Sequence, residues 1–180
     1  MRWEALFDDF ETQMAEAERA QLEAHVGELA RAEQSAVTLA DRLRGQVGAL
    51  LEFELRGNTR VSGRIVTVAE TWCSVESGPR AMLIPLAGVM RVGGVVRRSR
   101  HEPIGVRRTL SIASALRALA RDRSPVACHL DAQGGEPRLA TGTIDGVGRD
   151  YLELTSTGDE RPRSTTLVPL EALIAVASLR

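Results

Sequence analysis

From Trp3 to about Leu43 the apolar positions recur every three or four residues, and beyond Gly45 they alternate with polar ones. The first stretch has no proline, one glycine (Gly27) and many Ala, Glu, Gln, Leu and Arg residues, so it predicts helix. Trp3, Leu6, Phe7, Phe10, Met14 and Ala17 make one stripe. Leu22, Val26, Leu29, Ala32, Ala36, Leu39 and Leu43 make a second, offset from the first, which predicts a bend or a meeting of two helices near residues 18–21. A helix this long needs something to lie on, either a partner chain or the rest of its own fold.

After Gly45, Leu51, Phe53 and Leu55 alternate with Glu52, Glu54 and Arg56. Gly57-Asn58 then turns the chain into a hairpin that Val61, Gly63 and Ile65 continue. Next come Trp72 to Val75, a turn at Ser77-Gly78-Pro79, Met82 to Ile84, a tight turn from Pro85 to Gly88, and Val89 to Val92. Short strands so closely spaced predict a small β-barrel. Residues 94–108 read as an arginine-rich linker. Ser111 to Arg121 predicts a short helix with Ile112, Leu116 and Leu119 on one side; Pro125 stops it, and Val126, Cys128 and Leu130 resume the strand pattern.

The second half repeats the first. Ser62-Gly63 matches Thr141-Gly142, Ile65 matches Ile144, Val68 matches Val147, Trp72 matches Tyr151, and Val75 matches Leu154. Leu83-Ile84-Pro85-Leu86-Ala87-Gly88-Val89 then matches Leu167-Val168-Pro169-Leu170-Glu171-Ala172-Leu173. The offset is 79 through Trp72 and Tyr151 and 84 at the two prolines, so the extra residues fall in the loop around Gly158 to Arg163, where insertion is cheap. The repeating unit is a helix followed by five strands. The predicted organisation is an acidic helical segment (1–44), a first barrel (45–93), the linker (94–108), and a helix with a second barrel (109–180).

This unit resembles the Sm-like small barrel, a relative of SH3-like barrels. The resemblance covers both repeats and not the first 35 residues. The family's first motif, glycine then an aliphatic two residues on, appears as Gly63-Arg64-Ile65 and Gly142-Thr143-Ile144. Its second motif, aliphatic, Arg-Gly, two residues, aliphatic, fits Ile84 to Val89 and Val168 to Leu173, with Pro85-Leu86 and Pro169-Leu170 in place of Arg-Gly. The resemblance implies an α+β, mainly β fold of two tandem five-stranded barrels, each preceded by a helix. It also implies assembly through exposed edge strands.

Sm proteins bind RNA bases with the Arg-Gly loop and with a second loop carrying Asp, an aromatic and Asn. Aligned without a gap, that aromatic position falls on Thr71 and Asp150; with the loop one residue longer it falls on Trp72 and Tyr151. Alternation favours the longer loop, with Cys73, Val75, Leu152 and Leu154 inward and Trp72 and Tyr151 sharing a face with Ser74 and Glu153. The plainer alternative is that each ring caps its barrel against its own helix. The chain as a whole is also similar to proteins of GC-rich bacteria, some labelled Fis-like regulators. A helix-turn-helix, however, needs a second helix, and after Arg121 the chain turns to strand.

Composition narrows the classes. With 43% hydrophobic and 26% charged residues and a net charge of -1, the 180-residue chain reads as globular rather than disordered. No apolar run approaches the roughly 20 residues of a spanning helix, and Met1-Arg2-Trp3-Glu4 lacks a signal pattern, so no membrane and a cytoplasmic location are expected. All 23 basic residues are arginine, a bias that lowers the weight of arginine richness as a nucleic-acid signal. Residues 1–35 hold nine acids and three arginines; the remainder is net basic. Cys73 and Cys128 lie in apolar strand patterns and read as small buried hydrophobes.

His25, His101 and His129 have no spacing suited to a metal or a triad, and no phosphate-loop pattern occurs, so no enzyme and no cofactor are expected. The reading is a non-enzymatic adaptor or scaffold. Its docking candidates are Trp3, Phe7 and Phe10, and its partners are a second copy or another protein through the N-terminal helix. The alternative is RNA binding through Trp72, Tyr151 and the linker arginines Arg97, Arg98, Arg100, Arg107 and Arg108.

Overall fold

A computed structural model of the chain describes residues 14, 16, 19, 21–28, 31–101, 110–132, 137–156 and 164–179. Contacts divide the chain into two units, Met1–Thr38 and Leu39–Arg180. In the first, residues 21–28 and 31–35 are helical, as the periodicity predicts. The helix does not run unbroken to Leu43. It stops after residue 35, where the Ser35 hydroxyl donates to the Ala32 carbonyl at 2.8 Å and two β-branched residues, Val37 and Thr38, follow. The expected bend near residues 18–21 falls on positions only partly described.

The second unit begins with α1 (Leu39–Arg44) and continues β1 (Leu50–Leu55), β2 (Thr59–Val68), β3 (Trp72–Ser77), β4 (Arg80–Pro85) and β5 (Val89–Gly93). Then come α2 (Ile112–Arg121), β6 (Pro125–Leu130), β7 (Arg138–Val147), β8 (Tyr151–Thr155), β9 (Thr165–Pro169) and β10 (Leu173–Ser178). The alternation after Gly45 does what alternation should: Leu51, Phe53 and Leu55 are buried and Glu52 faces out. Gly57 and Asn58 both take positive φ, 66° and 57°, which the β1–β2 turn requires and which these two residue types tolerate. Each Pro-Leu turn is a single 3-10 turn, Leu86–Gly88 and Leu170–Ala172.

Each block is ordered fifth strand, first, second, third, fourth. The described strands join in one antiparallel sheet, β5-β1-β2-β3-β4-β10-β6-β7-β8-β9. Two tandem barrels were the expectation; the protein is mostly β, and its ten described strands form one open sheet. The physical reason is the pairing of β4 with β10, Leu83 opposite Val176 and Met82 opposite Ala177. Edge strands carry unpaired N–H and C=O groups, and here the fourth strand of one block satisfies the fifth strand of the other.

The repeat holds at the level of ladders. Trp72 lies opposite Pro85 as Tyr151 lies opposite Pro169. Phe53 opposite Val92 corresponds to Cys128 opposite Val176. A bulge falls between Ile65 and Thr67 and again between Ile144 and Gly146.

Two cores result, and they share residues. The first gathers Leu51, Phe53, Ile65, Val75 and Ile84 with Leu43 of α1, and takes in Ile174 and Ala175 from β10. The second gathers Leu116 of α2 with Val126, Ile144, Leu152 and Val168, and takes in Ala69, Trp72 and Leu83 from the first block. Each large side chain buried this way contributes on the order of 2 kcal/mol. α2 is fixed by Ser111, whose hydroxyl accepts the Ser114 N–H at 3.2 Å, and it buries Leu116 as its stripe predicts.

Candidate functional site

The two aromatic positions that sequence alone treats as equivalent have different surroundings. Trp72 is 7% exposed, lies in the second core, and its indole Nε1 donates to the Leu110 carbonyl at 2.8 Å. Covered this way, it offers no face for stacking a base. Tyr151, its counterpart, is 36% exposed. The inward set is as alternation requires: Cys73, Val75, Leu152 and Leu154 are all buried.

The linker arginines divide in two. Arg97, Arg98 and Arg100 are exposed, while Arg107 and Arg108 lie outside the described residues. The segment that carries the first three is held to α1 through its main chain. The Gln46 amide donates to the carbonyls of Val96 and Arg98, both at 3.0 Å, and accepts the Val96 N–H at 3.2 Å. Arg42 Nη2 donates to the same Val96 carbonyl at 3.2 Å, and the Arg100 N–H donates to the Asp41 carbonyl at 2.9 Å. Beneath this segment sits a buried charged pair, Arg44 Nη1 to Asp41 Oδ1 at 2.6 Å, extended by Glu70 at 3.2 Å. His101 Nδ1 lies 3.4 Å from the same Asp41 oxygen. Such a network fixes geometry more than it adds stability, because desolvation offsets much of the attraction.

The docking candidates Trp3, Phe7 and Phe10 lie outside the described residues. Within the helical part of that unit, Met14, Leu22 and Val26 are exposed. Leu22 and Val26 stand one turn apart on one helical face.

A feature that sequence reasoning missed lies beside β5. An apolar groove of about 250 Å³ runs between α1 and β5, lined by Leu39, Leu43, Val89, Met90, Val92 and Val95. Among the described residues no strand pairs with the outer edge of β5, nor with that of β9 at the far end of the sheet. On the exposed side of β5, Arg91 grips Glu54 of β1 with two hydrogen bonds of 3.0 and 2.7 Å, which hold the Glu54 carboxyl below its usual range.

Among the described residues no group of three His, Cys, Asp or Glu side chains is placed to hold a metal ion. Burial pushes the Cys73 thiol up to about 12 and the Cys128 thiol up to about 11. Both are therefore un-ionised at neutral pH, and a thiolate-seeking disulfide reagent is expected to titrate neither in the native protein and both after denaturation. Rapid native labelling of either would contradict the buried placement. Because folding raises these pKa values, the stability that the neutral thiols contribute is present below about pH 9 and declines as pH rises toward 11. His129, half-buried in β6, is shifted down by burial.

Comparison with protein-family models gives no match to the chain, and comparison with curated proteins gives none either. Among the described residues no helix is long and apolar enough to cross a membrane.

Proposed function

We propose that the chain is a non-enzymatic cytoplasmic adaptor, built as two fused Sm-like barrels, that works by self-association and protein docking. The observation that carries this reading is the separate unit Met1–Thr38, in which residues 21–28 and 31–35 are helical and Leu22 and Val26 are exposed. Apolar side chains spaced one turn apart on an amphipathic helix suit a groove or a second helix. The order of strands within each block supports the barrel reading, since the fifth strand returns beside the first in both. Two free buried thiols suit a reducing compartment.

The test is sedimentation of the full chain against its Leu22→Asp/Val26→Asp variant. The expected result is a mass above 19.5 kDa that falls toward that value in the variant. A chain that stays at 19.5 kDa up to about 1 mM, where even millimolar association registers, would overturn the self-association.

A further inference from the structure

The groove between α1 and β5 has the character of a receptor for an acidic helix. Leu39, Met90 and Val95 line it and are exposed, Met90 by 72%, together with the buried Leu43. Arg42 and Arg91 line it as well, and the exposed Arg97 and Arg98 follow closely after Val95 in the chain. An exposed apolar patch with a charged rim marks a place where another surface binds. At about 250 Å³ it admits side chains rather than a whole helix, so a helical occupant lies across it and inserts its anchors.

Charge selects the occupant. Residues 39–101, which hold the groove, carry ten arginines and five acids, a balance of +5, whereas residues 110–180 carry eight arginines and nine acids, a balance of -1. The acidic stretch of the chain is 1–35, where nine acids and three arginines leave -6. The same stretch supplies apolar anchors. Trp3, Phe7 and Phe10 are three of the six aromatics in the chain, and Glu4, Asp8, Asp9 and Glu11 stand between and beside them. Of the other three aromatics, Phe53 and Trp72 are buried in the fold and Tyr151 is partly exposed. Anchors at the spacing i, i+4, i+7 with acids around them suit an apolar groove with arginines on its rim.

We infer that the segment from Trp3 to Phe10 of one copy occupies the groove beside α1 of a second copy, its aromatic rings entering the groove and its acids meeting the arginines. Every copy carries both the segment and the groove, so the exchange is reciprocal. Two copies related by a two-fold axis leave neither groove open, and assembly stops at a dimer. The inference rests on the self-association proposed above and names the surface that receives the N-terminal unit. It does not use Leu22 and Val26, which belong to the second, offset stripe.

Two full-length variants, Ala5→Cys and Met90→Cys, separate the outcomes. Ala5 adjoins the aromatic stripe without belonging to it, and Met90 is an exposed residue of the groove. Mixed, equilibrated and treated with a short bifunctional thiol reagent, the two are expected to give a cross-linked species of twice 19.5 kDa that neither gives alone. The buried Cys73 and Cys128 leave the unmodified chain as a blank. Phe7→Ala/Phe10→Ala, which removes anchors, and Met90→Glu, which sets a carboxylate against an acidic segment, are each expected to weaken association about tenfold or more, with the thermal unfolding of dilute Met90→Glu unchanged. No cross-linking in the mixture would overturn the exchange. So would an Ala5→Cys/Met90→Cys double variant that cross-links only within one chain at 19.5 kDa, which would place the segment in the groove of its own copy. Equal cross-linking in Met90→Cys alone would show two grooves facing each other and overturn it as well. If any of these failures accompanies a mass that still falls in Leu22→Asp/Val26→Asp, the self-association stands and the groove is not its receptor.

Discussion

Gly63→Ala is expected to cost about 3 kcal/mol or more and to lower the unfolding temperature by roughly 10 °C, with Gly142→Ala doing the same in the second block. A β-carbon on Gly63 would press into the Glu76 carbonyl, 2.9 Å from its carbon, and into a Val75 methyl. That carbonyl belongs to the β2–β3 ladder, which pairs Arg64 with Glu76 and Ile65 with Val75, so it retreats only if the ladder opens. Gly142 faces the Thr155 carbonyl carbon and Leu154 Cγ, each at 2.9 Å, with the same consequence for β7 and β8. Gly27→Ala is the control. Its nearest neighbour would be the flexible end of Arg31 at 3.8 Å, and alanine favours helix. Thermal unfolding followed by circular dichroism decides the matter; a shift below about 2 °C in Gly63→Ala would show that the strands give way at little cost.

Trp72→Ala and Tyr151→Ala, changes at corresponding positions, are expected to differ by several kcal/mol. Removing the Trp72 ring empties a site where two blocks meet and leaves the Leu110 carbonyl without its indole donor, a loss of about 3–5 kcal/mol. Tyr151 is partly exposed on β8, one strand in from the free edge β9, and in dilute protein its removal should cost less than about 1 kcal/mol. Urea unfolding measures both. Costs within about 0.5 kcal/mol of each other would mean that the β4–β10 seam adds little to stability.

Much of the fold was legible because side-chain period reports burial. Leu51, Phe53 and Leu55 predicted β1 and its inner face, and the stripe through Ile112, Leu116 and Leu119 predicted α2. The matched glycines, Gly63 and Gly142, marked the same close approach in both blocks. The seam was not read, since matching two blocks says nothing of whether they lie apart or share an edge. A signal was nevertheless present. Val89 to Gly93 is broken by Arg91, whereas Leu173 to Ala177 is apolar throughout, the mark of a strand covered on both faces. Trp72 and Tyr151 differ for a related reason: the position is covered where the neighbouring strand, β4, joins the other block and partly exposed where the neighbouring strand, β9, is the end of the sheet. The groove beside β5 was beyond sequence reading because it depends on which strand, among the described residues, ends the sheet.

The position of β10 sets the order in which the molecule is made. It is the last of the ten described strands along the chain and the sixth across the sheet. Its contacts with β4 span most of a hundred residues, as Leu83 opposite Val176 illustrates, and such long-range pairings form late. During synthesis the first block emerges with Trp72 and Leu83 unsheltered until residue 178 has cleared the ribosome. That interval is when the nascent protein is most exposed to misassociation, and it is where a chaperone would find its substrate.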